Sequence, residues 1–140
     1  MQRGRRIAFD YGDIRIGVAV CDADGIISSP LAVLATEKKH LATEIQAILA
    51  EYEPVQIFIG LPKQLSGIEG VSAEKARSFG DFLAEFTDVE ITYIDERLST
   101  VSAQSKLREA GKSAKESKEL IDAMAAVEIL ELGLQSARSS

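Results

Sequence analysis

Four acidic residues are the groups in this sequence best suited to chemistry. Asp10 ends the run "RIAFD", Asp95 and Glu96 end the run "EITYIDE", and Asp122 lies within "ELIDAMAAVEIL". Carboxylates gathered in one place repel each other unless a cation or a proton lies between them. Oxygen ligands suit Mg²⁺ or Mn²⁺, whereas the single cysteine and single histidine are too few for a usual zinc site. The acids are therefore candidate ligands for one or two Mg²⁺ or Mn²⁺ ions.

Alternating and helical hydrophobic patterns predict an α/β chain that would position these acids. The turn signal "DADG" follows the second apolar run and indicates a hairpin. The predicted strands are 6–10, 16–21, 26–29, 55–60 and 90–95. The predicted helices are 41–52, 76–86, 100–110 with Gly111 as its stop, and a last one from the capping box Ser113 and Glu116 through Leu134.

This order of elements predicts a mixed five-stranded sheet with helices on both faces. If the first strand is central and its parallel neighbours end at Gly60 and Glu96, then Asp10 and the pair Asp95 and Glu96 converge on one edge. Side chains alternate along a strand, so only one acid of that pair needs to face a metal ion. Asp122 lies in a helix that is apolar nearly all round, where an unpaired charge is costly.

Ala125 and Ala126, one turn beyond Asp122, would let that helix approach the sheet closely. Each acid also has a purely structural interpretation. Asp10 can begin a turn, Asp95 can pair with Arg97, and Asp122 can pair with Lys118. Taken one at a time, these structural interpretations are favoured. The acids become notable because the predicted topology brings them together.

Composition sets the class of protein. The chain has 140 residues, of which 46% are hydrophobic and 27% charged, as in one folded domain spanning residues 1–140. It lacks an apolar run of membrane length, so we expect a soluble, cytoplasmic protein that does not bind membranes. The net charge of −6 argues against bulk electrostatic coating of nucleic acid. The segment from Arg97 to Lys118 is nevertheless basic, with six Lys or Arg against two Glu.

Two features near the acids are candidates for holding phosphate. The segment 60–70 is rich in glycine and follows a parallel strand, so we expect it to be mobile and to border the acidic pocket, with Lys63 and backbone amides as phosphate contacts. A plain surface connection is the alternative for this loop. The predicted basic rim comprises Arg15, Arg97, Lys106, Arg108, Lys112 and Lys115.

The sequence resembles the YqgF-type (RuvX-like) family of pre-16S rRNA nucleases, also described as Holliday junction resolvases. The matching motifs are "FDYGDIRIGVAVCD", "IGLPKQLSGIEG", "DERLST" and "DAMAAVEIL", in family order over nearly the whole chain. The resemblance implies a ribonuclease H-like fold and metal-dependent phosphodiester cleavage. It places Asp10, Glu96 and Asp122 at the acidic triad, with Asp95 as second choice for a ligand. Tyr11 and the pair Lys63 and Gln64 depart from the family pattern, which affects loop contacts.

The resemblance implies precursor rRNA as the first substrate and branched DNA as the second, and it places Arg15 and Arg97 at motif positions where their guanidinium groups would suit phosphate contacts. Together with Lys63 of the loop and Lys106 and Arg108 of the basic rim, they are the predicted substrate-binding residues. The leading hypothesis is an endonuclease that processes the 5′ end of pre-16S rRNA. The alternatives are a Holliday junction resolvase and a non-catalytic nucleic-acid-binding module of the same fold. A resolvase usually acts as a symmetric pair, and no evident dimer seam is present in the sequence, so we expect a monomer or a weak dimer.

Overall fold

The computed structural model describes residues 1–98 and 114–139, without the side chains of residues 38, 98, 114–120 and 122. The strands are β1 (Arg6–Tyr11), β2 (Arg15–Cys21), β3 (Ser28–Ala35), β4 (Gln56–Leu61) and β5 (Glu90–Asp95). The helices are α1 (Lys38–Tyr52), α2 (Val71–Ala84), a short 3-10 helix (Glu96–Leu98) and α3 (Ala114–Ser139). The predicted helix 100–110, its stop at Gly111 and the cap at Ser113 lie outside the described residues, as do Lys106, Arg108 and Lys112.

The five strands form one mixed sheet in the order β3-β2-β1-β4-β5. Strand β1 is central, antiparallel to β2 and parallel to β4, and β4 is parallel to β5. The predicted mixed sheet is therefore confirmed. One detail was wrong: β5 neighbours β4 rather than β1, so a whole strand separates Asp10 from the end of β5.

The third strand is longer than the sequence pattern predicted. It spans Ser28–Ala35 rather than 26–29 and continues through Pro30. Proline lacks a backbone donor and is tolerated on an edge strand, where one side makes no ladder bonds. Strand β3 is such an edge, because it pairs only with β2, and the register shifts between Val18 and Ala19, opposite the proline.

Both faces of the sheet are covered, as predicted. One core lies between the sheet and helices α1 and α2, around residues such as Phe9, Ile59 and Phe79. The other lies beneath α3 and includes Ala8 and Phe58. Since alternate residues of a strand face opposite ways, this division assigns every strand residue to one of the two faces.

Helix α3 packs very closely against the sheet because small residues line the contact. Ala126 is fully buried, whereas Ala125, the other alanine expected there, is only half-buried and Ala123 is buried instead. A Cβ atom built at Gly133 would lie 2.6 Å from ring atoms of Phe58. No helix in the part of the chain that is described is long and apolar enough to cross a membrane.

We predict that Gly133→Ala destabilises the protein, although alanine normally favours a helix by about 1 kcal/mol. The added methyl would overlap the Phe58 ring, and overpacking of this kind costs about 1–3 kcal/mol. Urea unfolding measures the change. Gln135→Ala, at an exposed position of the same helix, is the control and should change stability by less than about 0.5 kcal/mol. A more stable Gly133→Ala protein would contradict the close approach.

Candidate active site

Asp10 occupies an open position on the α3 face of the sheet. It follows Ala8 by two residues on β1, and Ala8 packs beneath α3, so the Asp10 side chain leaves the strand on that face. On β2, Gly17 pairs directly with Asp10. On β4, Gly60 is the next residue after the paired Phe9 and Ile59. Asp10 is therefore flanked by two residues without side chains, which leaves room around its carboxylate.

Glu96 reaches Asp10 across the gap left by Gly60. A Cβ atom at Gly60 would lie 2.3 Å from Oε1 of Glu96 and 2.5 Å from Cδ1 of Ile129. The side chain of Glu96 thus lies directly over β4, beneath α3. It hydrogen-bonds to the carboxyl group of Asp10. The structure therefore brings together the predicted residues Asp10 and Glu96, despite the intervening strand.

The environment of Glu96 favours its protonated form. Burial raises the pKa of Glu96, the negative charge of Asp95 raises it further, and the hydrogen bond with Asp10 acts in the opposite direction. A hydrogen bond between two carboxyl groups needs a proton on one of them. Without a cation, the pair is best described as two carboxyl groups that share one proton.

Asp95 has a different partner from its neighbour Glu96. The Arg97 guanidinium donates to both Asp95 oxygens, with Nη2 2.6 Å from Oδ2, and the Arg97 backbone N–H donates to Oδ1. These contacts lower the pKa of Asp95 to about 2. Strand alternation does not explain the divergence, because β5 ends at Asp95 and Glu96 begins a 3-10 turn.

The connection from β4 to α2 lies beside this ion pair. Arg97 Nη1 donates to the carbonyl oxygen of Leu65 at 3.3 Å. Lys63 is close enough for its charge to lower the pKa of Asp95. The expectation that this loop borders the acidic edge is thus supported by contacts with Asp95 and Arg97. Its mobility stays a prediction.

The remaining predicted site residues are placed less completely. Asp122 lies in α3, one turn before the buried Ala126, but its side chain is outside the described part of the chain. Arg15 begins β2 and lies on the same face as Gly17, next to Asp10. Among residues 1–98 and 114–139, as far as their side chains are described, no three His, Cys, Asp or Glu residues form a cluster able to hold a metal ion.

Sequence reasoning missed the two glycines that make room for the acids. Gly60 was treated as a strand end, and Gly17 was not singled out. A signal was present, because a glycine inside a strand often marks a place where another group approaches closely. Both glycines lie in otherwise apolar strands, "RIGVAVC" and "QIFIGL".

A mixed sheet with paired carboxyl groups at the carboxyl edge of its parallel strands defines a class of α/β proteins suited to phosphodiester chemistry. The family model described as "RuvX: Holliday junction resolvase" matches residues 4–136. The chain belongs to this family.

Two bacterial relatives extend the match over nearly the whole chain. A protein of Streptomyces coelicolor is 43% identical over 142 residues, covering 100% of this chain and 85% of its own length. A protein of Mycobacterium ulcerans is 43% identical over 140 residues, covering 98% and 82%. Both carry the name "Putative pre-16S rRNA nuclease".

Two solved resolvase structures share the fold of this chain, which confirms the ribonuclease H-like fold. Thermus thermophilus RuvC in complex with a Holliday junction superposes with a TM-score of 0.54 at 16% identity, covering 98% of this chain and 97% of that chain. The Fowlpox virus Holliday junction resolvase gives a TM-score of 0.52 at 14% identity, covering 97% and 99%. At these identities the likeness concerns the fold alone.

We predict that Gly60→Ala separates Glu96 from Asp10 and weakens Mn²⁺ binding by about tenfold to a hundredfold, as loss of ligand orientation does elsewhere. The new methyl would overlap the Glu96 carboxylate and force it to move. Titration calorimetry with Mn²⁺ measures the affinity. Gly70→Ala is the matched control, because its backbone is extended and its nearest neighbour lies 3.4 Å away. Equal Mn²⁺ affinity in all three proteins would refute this arrangement.

We predict that Glu96→Gln stabilises the protein near neutral pH when divalent ions are absent. The raised pKa of Glu96 means that the folded state holds its proton to higher pH than the unfolded state, whose pKa is near 4.5. The contribution of protonated Glu96 to the stability of the folded state is therefore fully present below pH 4.5 and is lost as pH rises through the folded-state pKa. Thermal melts in EDTA should show a higher Tm for Glu96→Gln at pH 7, and a difference that shrinks toward pH 4. A lower Tm of Glu96→Gln than of the wild type at pH 7 would contradict the raised pKa of Glu96.

Proposed function

We propose that this protein is a metal-dependent endonuclease that cleaves a phosphodiester bond at the 5′ end of pre-16S rRNA. The observation that carries the proposal is the Asp10 and Glu96 carboxyl pair, held at the carboxyl edge of the parallel strands. The names of the bacterial relatives supply the substrate. We further propose that Asp10, Glu96 and Asp122 are the catalytic residues.

The chemistry of the paired carboxyl groups fits a hard divalent ion. Two oxygen ligands already in contact with each other would release their shared proton when Mg²⁺ or Mn²⁺ binds between them. Asp122 is proposed as the third ligand, because α3 packs against the strand face that carries Asp10. Asp95 is the less suitable choice, because Arg97 occupies its oxygens. One or two bound ions would supply an activated water and stabilise the leaving oxygen.

The protein's own residues would orient the substrate around these acids. Arg15 begins β2 on the face of Asp10, and Lys63 lies in the loop next to Asp95. We propose both as phosphate contacts, together with Lys106 and Arg108. Arg97 is also proposed to contact phosphate, with its remaining N–H donors, since others are directed to Asp95 and Leu65. Ile129, lying over Gly60, would help to exclude bulk water from the acids.

A four-way DNA junction is the second candidate substrate. The matching family is described as a Holliday junction resolvase, and the RuvC structure with the same fold contains a Holliday junction substrate. The two substrates offer the same phosphodiester group and differ in shape and in the 2′-hydroxyl. Junction resolution requires two symmetric cuts, so it would require a dimer. We propose instead a cytoplasmic monomer or weak dimer whose single catalytic domain spans residues 1–140.

The experiment compares cleavage of a pre-16S rRNA fragment and of a four-way DNA junction by the purified protein, with Mg²⁺ or Mn²⁺. We expect faster cleavage of the RNA. Asp10→Asn, Glu96→Gln and Asp122→Asn should each reduce cleavage to the level seen in EDTA while retaining binding, because they remove ion ligands and leave the surface cations intact.

Asp24→Asn is the control for charge, because Asp24 is exposed and pairs with Arg3 at the opposite edge of the sheet. It should cleave at the wild-type rate. Preferential cleavage of the junction would establish the second candidate. Binding without cleavage by the wild-type protein would instead indicate a non-catalytic nucleic-acid-binding module.

A further inference from the structure

The loop beside the acids presents apolar side chains to solvent. Leu65 is 95% exposed, and Ile68 and Val71 are 62% and 66% exposed on the same segment. Ile14, in the turn that follows β1 at this edge, is 73% exposed. A single exposed apolar residue needs no explanation, but several close in sequence at the edge that carries the acids make this loop a candidate interaction site.

The loop that carries Leu65 is held together by its own hydrogen bonds. The backbone N–H of Gln64 donates to the Ile68 carbonyl at 2.9 Å, and that of Gly67 donates to the Gln64 carbonyl at 2.8 Å. Gly67 has a φ of +90°, which glycine adopts without strain. The segment is therefore a tight turn with Leu65 at its tip.

A hydrogen bond and an ion pair fasten this turn to the body of the protein. Arg97, itself bound to Asp95, donates to the Leu65 carbonyl oxygen. Glu69 accepts two hydrogen bonds from Arg77 of α2, at 2.7 and 2.8 Å. Since Arg97 directly follows Glu96, a single arginine side chain connects the Leu65 carbonyl to the residue beside the acid pair. The backbone at Leu65 is therefore fixed before binding, so that a ligand in contact with the leucine needs to order only its side chain.

We propose that Leu65 contacts an unstacked nucleobase next to the cleaved phosphate, so that the preferred substrate has an unpaired nucleotide there. This inference rests on the proposed nuclease function and names its substrate more closely. Leucine is one of the apolar residues that insert between bases and unstack them. Arg97 is a positioning residue in this scheme, because it holds the Leu65 carbonyl.

The surroundings of Leu65 favour a nucleic acid over a protein partner. Lys63, two residues before Leu65, is a cation in the same turn, so a phosphate and its base would both find a partner there. The turn also contacts Arg97, the residue that directly follows Glu96, so it lies on the side of the sheet edge where the reacting phosphate of the proposed function would lie. A protein-binding surface would have no reason to coincide with that pair.

The test uses an RNA duplex that carries one unpaired 2-aminopurine and a fully paired duplex of the same length. Binding is measured in EDTA, so that the result does not depend on cleavage. We expect the wild-type protein to bind the duplex with the unpaired base about tenfold more tightly and to increase 2-aminopurine fluorescence by unstacking the base. Leu65→Ala should abolish both effects and leave affinity for the paired duplex unchanged.

Three variants serve as controls. Leu65→Met keeps an apolar side chain and should retain the preference. Ile26→Ala removes a side chain that is 75% exposed at the opposite edge and should behave as the wild type. Arg97→Gln should reduce the preference by releasing the turn. All four variant proteins should melt near the wild-type temperature, because exposed side chains contribute little to folding.

Two results would overturn the inference. One is a Leu65→Ala protein that still prefers the duplex with the unpaired base, which would indicate that Leu65 binds a protein partner instead. The other is an equal loss of affinity for both duplexes, which would assign Leu65 a general role in binding. If the preference is lost as expected but no protein cleaves RNA or DNA with Mg²⁺ or Mn²⁺, then the inference stands and the proposed nuclease activity fails.

Discussion

The contact between the carboxyl groups of Asp10 and Glu96 is the interaction around which the acidic edge is organised. Two acids placed together under a helix repel each other as anions, so the arrangement needs a proton or a cation between them. The fold enforces the contact from two sides: Gly60 leaves the space, and Ile129 of α3 lies over it. The close packing of α3 on the sheet, through Ala126 and Gly133, keeps that space from widening. The packing of α3 on the sheet therefore holds together a pair of acids that is unfavourable by itself.

Two adjacent acids acquire opposite properties from their surroundings. Asp95 faces Arg97 and has a pKa of about 2, so it is ionised throughout the physiological range. Glu96 is buried beside Asp10 and has a raised pKa. Divergent pKa values in neighbouring acids are a usual sign of divided roles in a catalytic site. Here one acid contacts the neighbouring turn through Arg97, and the other lies in the buried pair that we propose as a metal site.

The sequence predicted the convergence of Asp10 with the end of β5 because apolar runs and parallel connections determine where strands end. It left open whether Asp95 or Glu96 joins Asp10, since strand alternation no longer applies once the chain enters the 3-10 turn. The contact also depends on β4 separating β1 from β5 and on the space above Gly60, which are properties of the folded sheet. The predicted extent of β3 was wrong for a similar reason. Pro30 stops a strand only where its missing donor matters, and an edge position is known only after assembly.

The charge distribution explains how an acidic protein can bind a polyanion at a cluster of acids. The overall charge is −6, yet the Asp95 carboxylate is paired with Arg97 and the Asp10 and Glu96 pair shares a proton. These three acids and Arg97 together carry one negative charge rather than two, and Lys63 lies close enough to offset it. Binding of a divalent ion would remove the shared proton and make the local charge more positive, because two positive charges are gained for one proton lost. Binding of an ion would therefore strengthen the attraction for phosphate at this edge, while the net charge of the rest of the surface is screened beyond about 8 Å at physiological salt.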